Sequence, residues 1–280
     1  YNFGQNPDDP DAHLSRGRDT STCMPEFDLV GNNPSFGDVE WIASDPSKIT
    51  FDDSSQATTN VTASEAGTYK FYWTISSGNC PVEKDSTIVE FFVTPVSDAG
   101  ADSASCSQTY QLIANADTGN GSWSLISKPG GTKTTSDIVD RTNDTAQITV
   151  DAFGTYTFQW KEVEGVCSDS ATVDIAFYEQ PVADAGTDDE VCDQDVTLDA
   201  TTSSGSGVWS KIDGTGTANF INPNNEDTDV EVSNFGVKQF EWLETNGICT
   251  DRDTVEIGFF EQPSAMAGPD IDICNDTSVT

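Results

Sequence analysis

The chain has 280 residues, with 48 Asp and Glu against 12 Lys and Arg, a formal net charge of −36. Such a charge excludes a nucleic-acid backbone binder, which needs clustered cations to displace phosphate counterions, and disfavours an anionic membrane surface as partner. One histidine and seven cysteines leave little for imidazole-based metal or triad chemistry, and no apolar run approaches the ~18 residues that insert into a bilayer.

Residue 1 is Tyr and no basic, apolar leader follows, so the chain reads as a processed form or a piece of a longer protein. Residues 1–16, with the lone His13, stand outside the pattern that organises the rest. From residue 17 onward a period of roughly 80–90 residues governs the cysteines and the tryptophans. Cys23, Cys106, Cys192 and Cys274 form one periodic set, and Cys80, Cys167 and Cys249 form a second. Trp41, Trp123 and Trp209 follow the first set; Trp73, Trp160 and Trp242 precede the second. Gly67, Gly154 and Gly236, then Gly78, Gly165 and Gly247, keep the same register, as do Pro95, Pro181 and Pro263. An aspartate stands four residues before each cysteine of the first set, at Asp19, Asp102, Asp188 and Asp270. The expected modules are therefore 17–97, 98–183 and 184–265, with residues 266–280 opening a truncated fourth. On this reading Cys274 is unpaired because its partner lies beyond the chain.

Within each module the strands follow in the same order. In the first, Tyr69, Phe71 and Trp73 alternate with polar residues, and Val89 and Phe91 share a face further on. The second has a short strand around Trp123, another at Ala146–Val150, the run Tyr156, Phe158, Trp160, a hairpin at Glu164–Val166, and then Val173, Ile175 and Phe177. The third repeats this with Phe240 and Trp242, then Val255, Ile257 and Phe259. Period-two alternation, frequent turn residues and no amphipathic helical stretch predict an all-β chain: a tandem array of antiparallel sandwiches of about seven strands each. A core of that size gains from a covalent staple. The expected pairs are Cys23–Cys80, Cys106–Cys167 and Cys192–Cys249, each inside one module; buried free thiols are the alternative.

The string Gly154-Thr155-Tyr156-Thr157-Phe158-Gln159-Trp160 with Gly165-Val166-Cys167, and the linker Pro181-Val182-Ala183-Asp184-Ala185-Gly186-Thr187-Asp188 before Cys192, resemble the Ig-like, PKD-type repeats of Bacteroidota surface proteins, such as the SprB-type gliding adhesins. The resemblance spans roughly residues 17–280 and is specific for the module type more than for the protein. It implies an Ig-like fold, type IX export and display on the outer cell surface. Lys238 departs from the pattern where the other modules have Tyr69 and Tyr156, which puts a shared tyrosine hydrogen bond in question.

Three sets of residues are candidates for chemistry. Asp98, Asp102, Asp184, Asp188 and Asp189 flank module junctions and could supply oxygen ligands to Ca²⁺; the alternative is a solvated acidic surface, and Met266 replaces the aspartate at the third junction. Asp-Ser and Asp-Thr pairs resemble Bacteroidota O-glycosylation sites, with Thr145, Ser170 and Thr254 fitting best. Phe92, Tyr178 and Phe260, each three residues before the closing proline, are expected either to cover a junction or to offer a stacking platform for sugar. No nucleophile, base and oxyanion donor recur together as an active site would require. The expected function is a non-catalytic extracellular stalk or fibre segment of a bacterial surface adhesin, used in gliding. Its partners would be neighbouring modules of the same long chain, with surface glycans or other surface proteins at its tip, and no nucleic acid or membrane insertion. The alternative is a carbohydrate-binding or accessory array of a secreted polysaccharide-degrading enzyme.

Overall fold

The computed structural model describes residues 19–130 and 137–269; residues 1–18, 131–136 and 270–280, and with them His13, Asp270 and Cys274, lie outside the described residues. The chain divides into two compact units, Tyr1–Phe177 and Tyr178–Thr280. Among the described residues every regular element is a β-strand.

The first unit holds two sandwiches. The first is built from β1 (Thr20–Cys23), β2 (Glu26–Val30), β3 (Asp38–Ala43), β4 (Ile49–Phe51), β5 (Thr58–Ala63), β6 (Gly67–Ser76) and β7 (Glu83–Phe92). The second is built from β8 (Ser103–Ser105), β9 (Thr109–Ile113), β10 (Asn120–Ser127), β11 (Asp137–Val139), β12 (Thr145–Thr149), β13 (Gly154–Glu164) and β14 (Cys167–Phe177). The second unit is one sandwich of β15 (Asp189–Val191), β16 (Asp195–Asp199), β17 (Ser206–Asp213), β18 (Ala218–Phe220), β19 (Asp227–Val232), β20 (Gly236–Asn246) and β21 (Cys249–Phe259).

Each sandwich packs a four-stranded sheet on a three-stranded one. In the first the orders are β1-β7-β6-β3 and β2-β5-β4, and the other two sandwiches repeat that plan. Neighbouring strands are antiparallel with one recurrent exception: the short opening strand runs parallel to the last, as β1 with β7, β8 with β14 and β15 with β21.

The alternating runs turn their large residues inward. Tyr156, Phe158 and Trp160 on β13 and Val173, Ile175 and Phe177 on β14 are buried, and the equivalent residues fill the other two cores. The two tryptophans of each module meet as directly opposed cross-strand partners: Trp41 with Trp73, Trp123 with Trp160, Trp209 with Trp242. Their ring centroids lie 4.8, 5.2 and 5.3 Å apart in tilted contact, a geometry that adds attraction beyond the area buried. The first indole of each pair also donates to a backbone carbonyl, of Ala57, Asp144 and Glu226 respectively.

The tyrosine that precedes these aromatics fastens the loop before its strand. Tyr69 Oη donates to Glu65 O and Tyr156 Oη to Ala152 O, each at 3.0 Å. Lys238 takes the position in the third sandwich. It is 1% exposed, and its ammonium donates to the carbonyls of Phe235 and Gly236 at 3.4 and 3.3 Å. The hydrogen bond to the preceding loop survives with a different donor.

The small sheet of the third sandwich sets carboxylates face to face, Asp199 opposite Asp227 and Asp195 opposite Glu231. The Asp227 carboxyl is raised above the ordinary carboxylate value, first by the hydrogen bond it shares with Asp199 and then by that neighbour's charge. An acid whose folded pKa exceeds its unfolded pKa stabilises the fold below the unfolded value, and that contribution is lost as pH rises through the folded one. Like charges opposed across strands are then a liability at neutral pH. Asp227→Asn is expected to raise the melting temperature by about 2 °C at pH 7 and by far less near pH 3, below the raised value of the Asp227 carboxyl, where that group is neutral. Circular dichroism melts at the two pH values check this, and equal shifts at both would exclude repulsion as the cause.

Candidate functional site at the module junction

The acidic residues at the junctions serve the backbone. Asp19 accepts from the amide of Ile88 at 3.1 Å, Asp102 from Asp174 at 2.8 Å and Asp188 from Glu256 at 2.8 Å. In each module this carboxylate extends the parallel pairing of the opening strand by one hydrogen bond, before the strand itself begins. Asp98 accepts from the Gly100 amide at 2.9 Å and from Asn115 Nδ2 at 2.6 Å, and these bonds hold its carboxyl below the ordinary carboxylate range. Asp184 accepts from the Gly186 amide at 3.0 Å and Asp189 from the Glu190 amide at 2.8 Å. Among the described residues no three His, Cys, Asp or Glu side chains converge as a cation site. The five aspartates offered to Ca²⁺ by the sequence are thus drawn to amides and not brought together.

The cysteines correct the expected pairing. Cys23 is bonded to Cys167 across 144 residues, with Cα atoms 5.5 Å apart. Cys80 and Cys192 are free and exposed. Cys106 and Cys249 are each disulfide-bonded. The expected pairs Cys23–Cys80, Cys106–Cys167 and Cys192–Cys249 are therefore not formed. The reason is the parallel opening strand. Cys23 lies beside Phe92, the last residue of β7, whereas Cys80 precedes Glu83, the first residue of that strand. The length of β7 separates them, roughly 30 Å at ~3.3 Å per residue, far outside the ~7 Å reach of a disulfide. The same holds in the second module, where β8 ends beside Phe177 and Cys167 opens β14. Each module therefore carries one cysteine at each end, and within the first unit the bond forms where the first module's trailing end meets the second module's last hairpin.

The aromatics before the closing prolines complete that meeting. A Cβ on Gly165 would overlap the Phe92 ring, and one on Gly247 would overlap the Tyr178 ring. Both glycines have positive φ, 57° and 60°, at the tip of the last hairpin of their module. Phe92 and Tyr178 are half-buried. Phe260, the third member, is 45% exposed, and Gly78, the hairpin glycine of the first module, has no atom within 4 Å of a Cβ placed on it. Of the two roles expected for these aromatics, Phe92 and Tyr178 take the junction role.

The linkers are bonded to the module that follows them. The amide of Val96 donates to Asp117 and that of Ser97 to Asp169, at 3.1 and 2.9 Å. In the second unit Val182 donates to Ser203 Oγ at 2.7 Å, Ala183 to Asp251 at 2.9 Å and Ala185 to Asp253 at 2.8 Å. Two buried carboxylates, Glu162 and Glu244, brace the same region by accepting from Asp117 and from Ser203 and Ser204. Neither was singled out by the sequence, because each sits in an alternating strand at a position where the first module has Ile75. Thr145, Ser170 and Thr254 are all exposed.

No family model matches the chain, and no curated protein matches it in sequence. Solved structures of tandem immunoglobulin domains are similar to it. The titin I-band fragment I67–I69 aligns over 89% of this chain and 97% of its own at 10% identity, with a TM-score of 0.44. Drosophila OTK extracellular domains 3–5 align over 89% and 97% at 11% identity, with a TM-score of 0.39. The insect immune protein hemolin aligns over 89% and 75% at 13% identity, with a TM-score of 0.35. By its own strands and sheets the chain is an all-β tandem array of Ig-like sandwiches.

Proposed function

We propose that the chain is a non-catalytic, extracellular stalk segment of a bacterial surface adhesin of the SprB-like Bacteroidota type, exported by the type IX system and moved in gliding. The observation that carries this reading is the Cys23–Cys167 bond, which joins one module to the next instead of stapling either. Such a bond serves a chain that must transmit tension in an oxidising compartment. The linkers, hydrogen-bonded along their length to the following module, serve the same end. The high negative charge keeps neighbouring copies apart. The rival glycan-binding array would need a recurrent free aromatic face, and Phe92 and Tyr178 are occupied by hairpin glycines. The exposed hydroxyls of Thr145, Ser170 and Thr254 are where hexose adducts would sit.

Immunogold labelling of intact, unpermeabilised cells of the producing organism tests the proposal. Label on filaments outside the cell is expected. Label that appears only after permeabilisation would overturn it.

A further inference from the structure

We propose that the second and third modules each bind one water molecule as a structural ligand, held by the indole N–H of Trp160 or Trp242, the Oε2 atom of Glu162 or Glu244 and the hydroxyl of Thr118 or Ser204. The three groups recur at equivalent places. The glutamate stands two residues after the tryptophan on β13 and β20, and the hydroxyl residue precedes Gly119 or Gly205 in the loop before β10 or β17. All six atoms are buried, and none has a hydrogen-bond partner among the described residues. The two tryptophans and two glutamates are at most 1% exposed. Buried polar atoms are costly to leave unpaired, and native interiors pair nearly all of them.

The three groups face a common place. Glu162 is the cross-strand partner of Gly121, and Glu244 of Gly207. A Cβ on either glycine would overlap the indole edge at Cε2, the carbon bonded to the nitrogen. Indole nitrogen and carboxylate therefore meet over the same glycine. The other carboxylate oxygen accepts from the Asp117 amide in the second module and from the amides of Ser203 and Ser204 in the third. That brings the loop carrying Thr118 or Ser204 onto the same carboxylate. The first module is built differently. Val39 opposite Ile75 replaces the Gly–Glu pair, and Trp73 donates to Asn32 Oδ1 at 2.9 Å. The second module has an asparagine at the place of Asn32, but Asn115 donates to Asp98 of the linker instead.

The chemistry of the three groups names the ligand. It must accept from an N–H, donate to a carboxylate oxygen and fit an enclosed site. A metal cation suits the carboxylate and the hydroxyl but faces the positive end of the N–H dipole. An anion suits the N–H but faces the carboxylate. Water has two lone pairs and two protons, and about three polar partners is the usual number for a buried one. A way in is present in both modules. A pocket of about 330 Å³, lined by Trp160, Gly121 and Asn143, opens beside the indole of the second, and one of about 460 Å³, lined by Gly205, Gly207 and Asn225, opens at the equivalent place in the third. The water is then the inner end of a relay. Glu162 holds the Asp117 amide, and the Asp117 carboxylate holds the Val96 amide of the linker. Glu244 holds Ser203, whose Oγ accepts from the Val182 amide. The tryptophan core of each module is tied through water to the linker that enters it.

A crystal structure of the full chain at a resolution that orders water tests the site. One water within hydrogen-bond distance of Trp160 Nε1, Glu162 Oε2 and Thr118 Oγ1 is expected, and a second on Trp242, Glu244 and Ser204. An indole bonded directly to the carboxylate, a metal ion, or no density at these places would overturn the proposal. In solution, the indole N–H resonances of the isotope-labelled chain, assigned with single Trp→Phe variants, read the same site. Nuclear Overhauser transfer from long-lived water is expected at Trp160 and Trp242. It is expected to be absent at Trp41, Trp73, Trp123 and Trp209, whose N–H groups bond the protein itself. Glu244→Leu is expected to abolish the transfer at Trp242 and leave it at Trp160, with the Trp209 resonance retained as the mark of a folded third module. Equal transfer at every indole, or an unchanged signal at Trp242 in that variant, would overturn the proposal. No outcome depends on where the protein resides, so the site holds or fails separately from the surface-stalk reading.

Discussion

Stretched between its ends, a chain that keeps only Cys23, Cys80 and Cys167 among its cysteines is expected to give roughly 500 Å less extensible length oxidised than reduced, from the 144 residues between Cys23 and Cys167 at ~3.5 Å each. Tension reaching Cys23 crosses the sulfur–sulfur bond to Cys167 and never loads the backbone between. That interval contains the core strands of the first sandwich and both tryptophan pairs of the first unit. Its hydrogen-bond ladders are removed from the load path by one covalent bond. A bond confined to a single module, such as Cys23–Cys80, would hide only about 60 residues, or roughly 200 Å. Optical-tweezers extension with and without reductant separates the two. A difference near 200 Å, or none, would contradict the inter-module bond and the load-bearing role built on it.

The sandwiches were legible because alternation is a local signal. Tyr156, Phe158 and Trp160 announce one buried face within five residues, and the same run recurs at the module period with Trp73 and Trp242. The number of modules and the seven-stranded plan follow from that repetition. Strand direction has no such signature. β1, β8 and β15 are three or four residues long and show no alternating burial, so nothing local marks them as parallel to a strand some seventy residues later. The consequence is large. Reversing that one short strand moves Cys23 from one end of the module to the other and turns an internal staple into a joint between modules. The aspartate four residues before each cysteine was the available clue. Its recurrence was visible, but its partner, an amide in the middle of the last strand, was not. The junction carboxylates are held apart from one another for a related reason. Carboxylates next to turns and strand ends find unpaired amides close by, and those of Asp98, Asp184 and Asp189 bond an amide one or two residues on.

Gly207→Ala is expected to lower the melting temperature of the second unit by roughly 10 °C, since overpacking a rigid core costs about 1–3 kcal/mol and a domain near 100 residues shifts by ~4–8 °C per kcal/mol. Gly207 lies in β17, two residues before Trp209, and a Cβ there would overlap the benzo edge of the Trp242 indole, at Cζ2, Cη2 and Cε2. Its φ is not in the left-handed region, so backbone strain contributes nothing and the effect is steric alone. Gly121 stands in the same relation to Trp160, and in the first module Gly31, from β2's end of the sandwich, fills that role against Trp73. The indole cannot retreat. Trp242 is fully buried and is held against Trp209 at 5.3 Å. Phenylalanine lacks the benzo edge, and the Trp242 N–H has no hydrogen-bond partner within the protein to lose. Trp242→Phe therefore vacates the volume that the new methyl needs. The double variant Gly207→Ala, Trp242→Phe should melt within about 2 °C of Trp242→Phe alone, a coupling that only direct contact produces. Additive losses in the double variant would show that the alanine acts through the strand and not through the indole. A Gly207→Ala loss below about 2 °C would show that the tryptophan pair, the most regular feature of all three modules, yields without cost.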